Sequence, residues 1–163
     1  MEVRSVEAIV RALNDSRVEY LIVGGLAVNA HGYMRGTRDV DLVIGLEPEN
    51  ARRGLEALLG IGYQLAIPVT PDAFADPEKR VMWRREKNMI VLKLWSEAHQ
   101  KTPVDIFIYE PFPFQAEFEI APRFEVAPGL MAPFVGLGRL LEMKREANRL
   151  QDQVDIQELT RSR

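Results

Sequence analysis

Cysteine is absent from this chain of 163 residues, and histidine is limited to His31 and His99. No disulfide framework can form, and zinc sites built on cysteine are excluded. An intrinsic metal site must lean on carboxylates, which selects a hard cation such as Mg²⁺. An excess of positive charge is also missing: 21 basic residues face 24 acidic ones, for a formal net charge of −3. The molecule as a whole therefore exerts no attraction on nucleic acid or an anionic membrane, although a local basic face stays open. No apolar run approaches the ~20 residues of a membrane span. The densest stretches are strand-sized, such as Tyr20 to Val23. Met1-Glu2-Val3-Arg4-Ser5 lacks the apolar core and small-residue cleavage site of a secretory signal. The expectation is a cytoplasmic protein with no membrane partner. Internal repeats and low-complexity segments are lacking too. What remains is 47% hydrophobic and 28% charged, the mix of an ordinary globular domain, so residues 1–163 are expected to form one.

Val6, Ile9, Val10 and Leu13 follow helical spacing behind Ser5, a candidate N-cap, and that helix is expected to end near Asn14-Asp15-Ser16. Tyr20-Leu21-Ile22-Val23 reads as a short buried strand stopped by Gly24-Gly25, and Leu26 to Ala30 as a short helix closed by Gly32. Val40 to Ile44 is a second strand. Pro48 suits a first helical turn, and Leu55, Leu58 and Leu59 give its helix an apolar stripe that Gly60 and Gly62 end. Residues 67–76, punctuated by prolines, read as a loop, and Pro77 to Lys87 as a charged helix. Met89 to Trp95 and Val104 to Tyr109 read as strands. Residues 112–114 and 122–133 read as short strands or loops. Gly136 to Arg149 and Asp152 to Thr160 read as helices, making 136–163 a C-terminal helical extension. Short strands interleaved with helices, and ending in helices, predict an α/β or α+β sheet with helices against it.

The segment richest in chemistry runs from Val23 to Ile44. Side chains alternate along a strand, so Asp39 and Asp41 share a face, roughly 6–7 Å apart along the strand. They repel each other unless a cation lies between them. Asp105 is an isolated acid in the apolar run Val104-Asp105-Ile106-Phe107-Ile108-Tyr109. If the two strands are neighbours, it comes about 5 Å from the pair. Three convergent carboxylates make a site for one or two Mg²⁺, with Mn²⁺ as a substitute. Gly24-Gly25, between a strand and a helix, lets backbone amides approach an anion closely. A phosphate beside a carboxylate-held metal is the logic of phosphoryl or nucleotidyl transfer.

These residues carry a resemblance. The strand, Gly-Gly and helix, the Asp-x-Asp thirteen residues beyond, and the third acid on a later apolar strand resemble the nucleotidyltransferase superfamily typified by DNA polymerase β. The pattern Gly-Gly-x-Ala, His-Gly, Arg-x-Thr-x-Asp-x-Asp over positions 24–41 is similar to the AbiEii-type and related minimal nucleotidyltransferases, which include components of toxin–antitoxin systems. The C-terminal Leu141-Glu142-Met143-Lys144, Arg149-Leu150-Gln151-Asp152 and Asp155-Ile156 resemble that family's helical Lys–Arg–Asp motif. The resemblance implies a nucleotidyltransferase fold, with a small mixed sheet, helices on one face and a C-terminal helical hairpin over the cleft. It also implies transfer of an NMP from an NTP to an acceptor hydroxyl, with release of pyrophosphate. Asp39, Asp41 and Asp105 would be the catalytic and metal-holding acids. Gly24 and Gly25 would form the phosphate loop, Lys144 would contact nucleotide phosphates, and Arg149 and Asp152 would support the site. The chain departs from the family pattern at two places. Many relatives carry Gly-Ser where this chain has Gly24-Gly25, so Gly25 is expected to act through its amide alone. The family's Arg-Asp or Lys-Asp step is Gln151-Asp152 here.

Other residues divide between structural and functional readings. Arg35 and Arg38 either pair with the acids or bind triphosphate, and Thr37 caps a turn or joins the nucleotide-binding set. His31 is expected at a helix end, packed or hydrogen-bonded. Lys93 is an exposed stem or a phosphate contact. Arg80, Arg84, Arg85 and Lys87 form a solvated helix face or a local RNA-binding surface. Trp83 and Trp95 are expected in the core, and Asp155 in a local helix contact. The acceptor is open among an RNA such as tRNA, a protein and a small molecule. The rival readings are a non-catalytic nucleotide-binding or partner-binding protein of a toxin–antitoxin module, whose partner would be an antitoxin, and a carboxylate-rich Mg²⁺ hydrolase.

Overall fold

The computed structural model describes residues 1–161; the last two residues of the expected C-terminal extension, 162 and 163, lie outside the described residues. The element order is α1 (Val3–Asp15), β1 (Tyr20–Val23), α2 (Gly24–Ala30), β2 (Val40–Ile44), α3 (Pro48–Gly60), β3 (Gln64–Leu65), α4 (Pro71–Ala75), α5 (Pro77–Lys87), β4 (Val91–Trp95), β5 (Val104–Phe107), α6 (Phe114–Ile120), β6 (Arg123–Ala127), β7 (Leu130–Pro133), α7 (Leu137–Ala147) and α8 (Leu150–Arg161). Among the described residues, no helix is long and apolar enough to cross a membrane.

Five strands form a mixed sheet in the order β1-β2-β5-β4-β3, in which β2 and β5 are parallel and the other pairs antiparallel. The outer edge of β1 is not left bare, because Phe134 bridges to Ile22 and the Val135 amide donates to the Ile22 carbonyl. The hairpin β6–β7 is thereby held to the main sheet. Alternation gives the sheet two unlike faces. Leu42, Ile44, Leu92, Leu94, Val104 and Ile106 are sealed in the core. Asp41, Lys93, Trp95, Asp105 and Phe107 point the other way and are half-buried or exposed. This is the fold class the sequence predicts, a small mixed α+β sheet with a C-terminal helical extension.

Helix α1 buries Val6, Ile9, Val10 and Leu13 along one stripe, as the spacing requires. It packs beside α3, whose Gly54 lies so close to Ile44 that a Cβ there would come within 2.9 Å of the Ile44 side chain. α3 starts on the Glu47 carboxylate, which accepts from the amides of Glu49 and Asn50, with Pro48 in the first turn.

Several local expectations need correction. Ser5 is not an N-cap: the helix starts behind Glu2, and Ser5 is buried with its hydroxyl 2.8 Å from His99 Nδ1. Residues 67–76 are not all loop, because Thr70 caps α4 by accepting from the Ala73 amide. Phe114, the last residue of the stretch 112–114 read as strand or loop, instead opens α6, which runs to Ile120 and is anchored by Glu110 accepting from the Phe114 amide at 2.7 Å. Strand β3, only two residues long, carries too little pattern to be seen in the sequence.

Candidate active site

The parallel pairing of β2 and β5 sets Asp41 opposite Asp105. Asp39, one residue before β2, lines the same cleft. The three acids predicted from the sequence are therefore brought together, and their electrostatics record it. Burial, then the charges of Asp105 and Asp39, push the Asp41 carboxyl up to about 7. Asp105 is also raised, by burial and by Asp39, with Lys93 opposing from across the β4–β5 pair, its Nζ 3.5 Å from Asp105 Oδ2. Lys93 projects 69% of its side chain into solvent, so this exposed stem stands at the acid cluster.

The turn from β1 into α2 is built against these acids. Gly24 adopts φ +68°, and a Cβ there would lie 2.8 Å from Asp41 Cγ. Only glycine combines that conformation with that proximity. At Gly25 a Cβ would lie 2.8 Å from Thr37 Cβ and closer still to its hydroxyl oxygen, with Arg35 Nη1 3.2 Å away. Thr37 thus occupies the space beside Gly25.

On the far side of the cleft, α7 and α8 carry a buried ion network. Lys144 Nζ lies 3.1 Å from Asp152 Oδ1 and 2.8 Å from Asp155 Oδ2. Arg35 grips Asp155 with two bonds, Nε to Oδ1 at 2.7 Å and Nη2 to Oδ2 at 2.8 Å. Arg149 donates from its backbone amide and its Nε to Asp152 Oδ2, at 3.0 and 2.7 Å, and the Gln151 side-chain Nε2 donates to Asp155 Oδ1. Burial opposes ionisation of both acids, but the bonds from Arg35, Lys144 and Gln151 hold Asp155 down to about 2, and those from Arg149 and Lys144 lower Asp152. Asp155 does more than make the local helix contact expected of it: it ties the loop before β2 to α7 and α8. Its signal in the sequence was a carboxylate one turn beyond Asp152.

The cleft divides into two cavities. The larger, of about 740 Å³, takes in Asp39, Asp41 and Asp105 and runs out along Ile90, Val91, Phe107 and Tyr109 under Leu140 and Met143. The smaller, of about 290 Å³, is bounded by Gly25, Arg35, Thr37, Arg38 and Gln151. Gly24, Asp39, Asp41, Lys144, Arg149 and Asp152 border both. Asp39 and Asp41 therefore stand between a small pocket that carries Arg35, Arg38, Lys144 and Arg149 and a larger one with a largely apolar wall, which Asp105 also lines.

Mg²⁺ is tested by this donor set. Among the described residues, no three carboxylate or histidine side chains form a ready-made metal cage. Mg²⁺ is commonly held by one or two carboxylates plus substrate phosphates, however, and the crowded acids beside a cationic pocket fit that mode.

Some surroundings differ from expectation. Arg80 does not belong to a solvated face: it is buried, and its guanidinium donates to the Phe74 carbonyl. Arg84 lies over the Tyr109 ring at 3.6 Å. Trp83 is in the core, but Trp95 is 43% exposed, because its position on β4 falls on the open face. His31 ends α2, its Nε2 2.8 Å from the Val135 carbonyl, as a helix-end residue should.

Comparison of whole structures defines the class of fold: the chain has the fold of nucleotidyltransferases. The lincosamide antibiotic adenylyltransferase LnuA, with lincomycin bound, is similar with a TM-score of 0.63 and 16% identity, over 96% of this chain and 94% of that one. ANT(2″)-Ia in complex with adenylyl-2″-tobramycin gives 0.61 and 12%, over 98% and 88%. An antigenic nucleotidyltransferase-like protein of Paracoccidioides brasiliensis gives 0.58 and 19%, over 97% and 75%. No family model matches the sequence, and no curated protein matches it in sequence comparison.

Proposed function

We propose that this protein transfers a nucleoside monophosphate from an NTP to a hydroxyl of a small-molecule acceptor and releases pyrophosphate. The observation that carries the reading is the placing of Asp41 opposite Asp105 where the small pocket meets the larger one. The neighbours LnuA and ANT(2″)-Ia support it, one holding lincomycin and the other an adenylylated tobramycin.

In this reading the β- and γ-phosphates enter the smaller pocket, where Arg38, Thr37 and the Gly24 and Gly25 amides receive them. Arg35 is committed to Asp155 and shapes that wall. Lys144 uses two of its three donors on Asp152 and Asp155, and it borders both cavities, so the third would serve a phosphate. Asp39 and Asp41 would hold Mg²⁺, or Mn²⁺, with Asp105 sharing a second ion; when bound, the metal neutralises phosphate charge. Asp105 takes the proton of the acceptor hydroxyl. The acceptor oxygen forms a bond to the α-phosphorus. The bond from that phosphorus to the bridging oxygen breaks, and its electron pair leaves with pyrophosphate.

Calorimetric titration with ATP and Mg²⁺, together with pyrophosphate release in the presence of an acceptor, tests the proposal. Asp41→Asn and Asp105→Asn should abolish release while keeping the fold. Wild-type protein that binds none of the four common NTPs would refute it, and release of free NMP with no modified acceptor would favour a hydrolase. A place in a toxin–antitoxin module of the AbiEii type is supported by the motif resemblance alone; copurification of a cognate protein, with activity insensitive to the Asp substitutions, would favour the non-catalytic partner.

A further inference from the structure

The proposed reaction needs a place for the nucleoside, and the larger cavity offers two unlike walls for it. The sheet wall is aromatic. Phe107 and Tyr109 follow Asp105 at every second position, and all three line the cavity. The Ile108 amide donates to the Ile90 carbonyl, so extended pairing continues past the end of β5 and carries Tyr109 with it. Tyr109 lies four residues beyond Asp105, about 13 Å along the strand, within the reach of a nucleoside whose α-phosphate stands at the acids. Its ring is held before any ligand arrives. The Arg84 guanidinium covers one face, 3.6 Å from the centroid, and Phe107 meets the ring edge-on with centroids 5.8 Å apart. The opposite face is left for a ligand. The helix wall is aliphatic. Leu140, Met143 and Ala147 recur at i, i+3 and i+7 on α7 and line the same cavity. Lys144 belongs to that stripe and borders the smaller pocket as well. The carboxylates gather at the phosphate end: Asp39, Asp41 and Asp152 border both cavities, and Asp105 is opposite Asp41. Glu146 is the one further carboxylate among the described residues of the lining, and it does not repel a neutral base.

We infer that Tyr109 is the platform on which the base of the NTP stacks, with the Leu140 and Met143 wall over the base and Arg84 fixing the ring from behind. The inference rests on the nucleotidyl-transfer reading of the same site. A space between an aromatic ring and aliphatic side chains suits a nucleobase, because every base has a π-face. Pinning by Arg84 means that stacking orders the ring little further, which lowers the cost of binding. Stacking strength then sets the preference among bases, so the larger purines are held more tightly than the pyrimidines. Lys144 joins the two halves of the nucleotide, since the stripe that covers the base also carries the ammonium at the edge of the phosphate pocket.

The test separates the base from the phosphates. The full chain is titrated by calorimetry in Mg²⁺ with ATP, with CTP and with inorganic tripolyphosphate, and no acceptor is present. Wild-type protein should bind ATP about tenfold more tightly than tripolyphosphate, and severalfold more tightly than CTP. Tyr109 is half-buried, so Tyr109→Leu should fold, with its melting curve as control. That variant should lose about tenfold in ATP affinity and keep its affinity for tripolyphosphate. Tyr109→Phe keeps the ring and should stay within about twofold of the wild type for ATP. Arg84 is exposed, so Arg84→Ala should leave the fold intact, weaken ATP severalfold and leave tripolyphosphate unchanged. Unchanged ATP affinity in Tyr109→Leu, or equal loss of ATP and tripolyphosphate, overturns the inference. Equal binding of ATP and tripolyphosphate by the wild type overturns it too, while nucleotidyl transfer stands. Wild-type protein that binds neither refutes nucleotidyl transfer and the platform together.

Discussion

Thr37 stands in the space that a side chain at position 25 would need, its Cβ 2.8 Å from where a Gly25 Cβ would be. The two positions are reciprocal: glycine at 25 is required by threonine at 37. Thr37 thereby places its hydroxyl beside Gly25, at the wall of the smaller pocket, from the loop before β2. Gly25→Ala should therefore destabilise by about 1–3 kcal/mol through overpacking. Thr37→Gly in the same chain should recover most of that loss. Thermal melts of the two single variants and the double variant form the cycle, and strictly additive effects would contradict the pairing.

Asp41 makes stability depend on pH. Its carboxyl sits at about 7 in the folded protein against 3.8 as an ordinary aspartate, so the native state binds this proton more tightly than the unfolded state. The resulting stabilisation is complete below pH ~3.8 and is lost as the pH rises through about 7. Asp41→Asn should thus melt higher than the wild type at pH 8, by an amount on the order of 1–3 kcal/mol. The two proteins should converge only as the pH falls to ~3.8 and below. Mg²⁺ should raise the melting temperature of the wild type more than that of the variant. Equal melting temperatures at pH 8 would show that burial and the neighbouring acids do not raise the Asp41 carboxyl.

Asp155 has the opposite slope. Held at about 2, it contributes stability above pH ~3.8 that is lost as the pH falls toward 2. Asp155→Ala strips Arg35 and Lys144 of a shared buried partner and should cost about 3–5 kcal/mol in urea unfolding. Lys144→Met leaves Arg35 on Asp155 and Arg149 on Asp152, so its cost should be smaller. If Asp155→Ala is as stable as the wild type, the network does not hold the loop to α7 and α8.

Lys93 opposes any cation drawn to Asp105. Its ammonium is well exposed, so the effect on stability is small, but the effect on ion affinity is local. Lys93→Met should strengthen Mn²⁺ binding by about two- to tenfold at low salt, with the gain shrinking as ionic strength rises. Isothermal titration at two salt concentrations reads this directly. Unchanged affinity at low salt would place the ion away from Asp105.

Much of this was legible in one dimension, where the physics is local. Alternation put Asp39 and Asp41 on one face, and the isolated charge in Val104 to Tyr109 singled out Asp105. The Leu137–Ala147 and Pro48–Gly60 helices followed from periodicity and capping. Signals carried by two residues, or by contacts far apart in sequence, were not legible. β3 is too short to show a pattern, and α6 depends on Glu110 and on packing of Phe114. Arg80 reads as solvated because its charge is visible in the sequence, while the Phe74 carbonyl that receives it is set by the turn between α4 and α5.

The sequence by itself determined which acids share a face and where glycine had to be, because alternation and backbone conformation are properties of neighbouring residues. Tertiary structure decided that β5 lies against β2, which turns Asp105 toward Asp41. It also decided that Asp155 belongs with Arg35, 120 residues away, and that Lys93 and an apolar wall flank the acids. Those facts depend on strand order and helix docking, which are settled by burial of the whole core and leave no mark on any single segment.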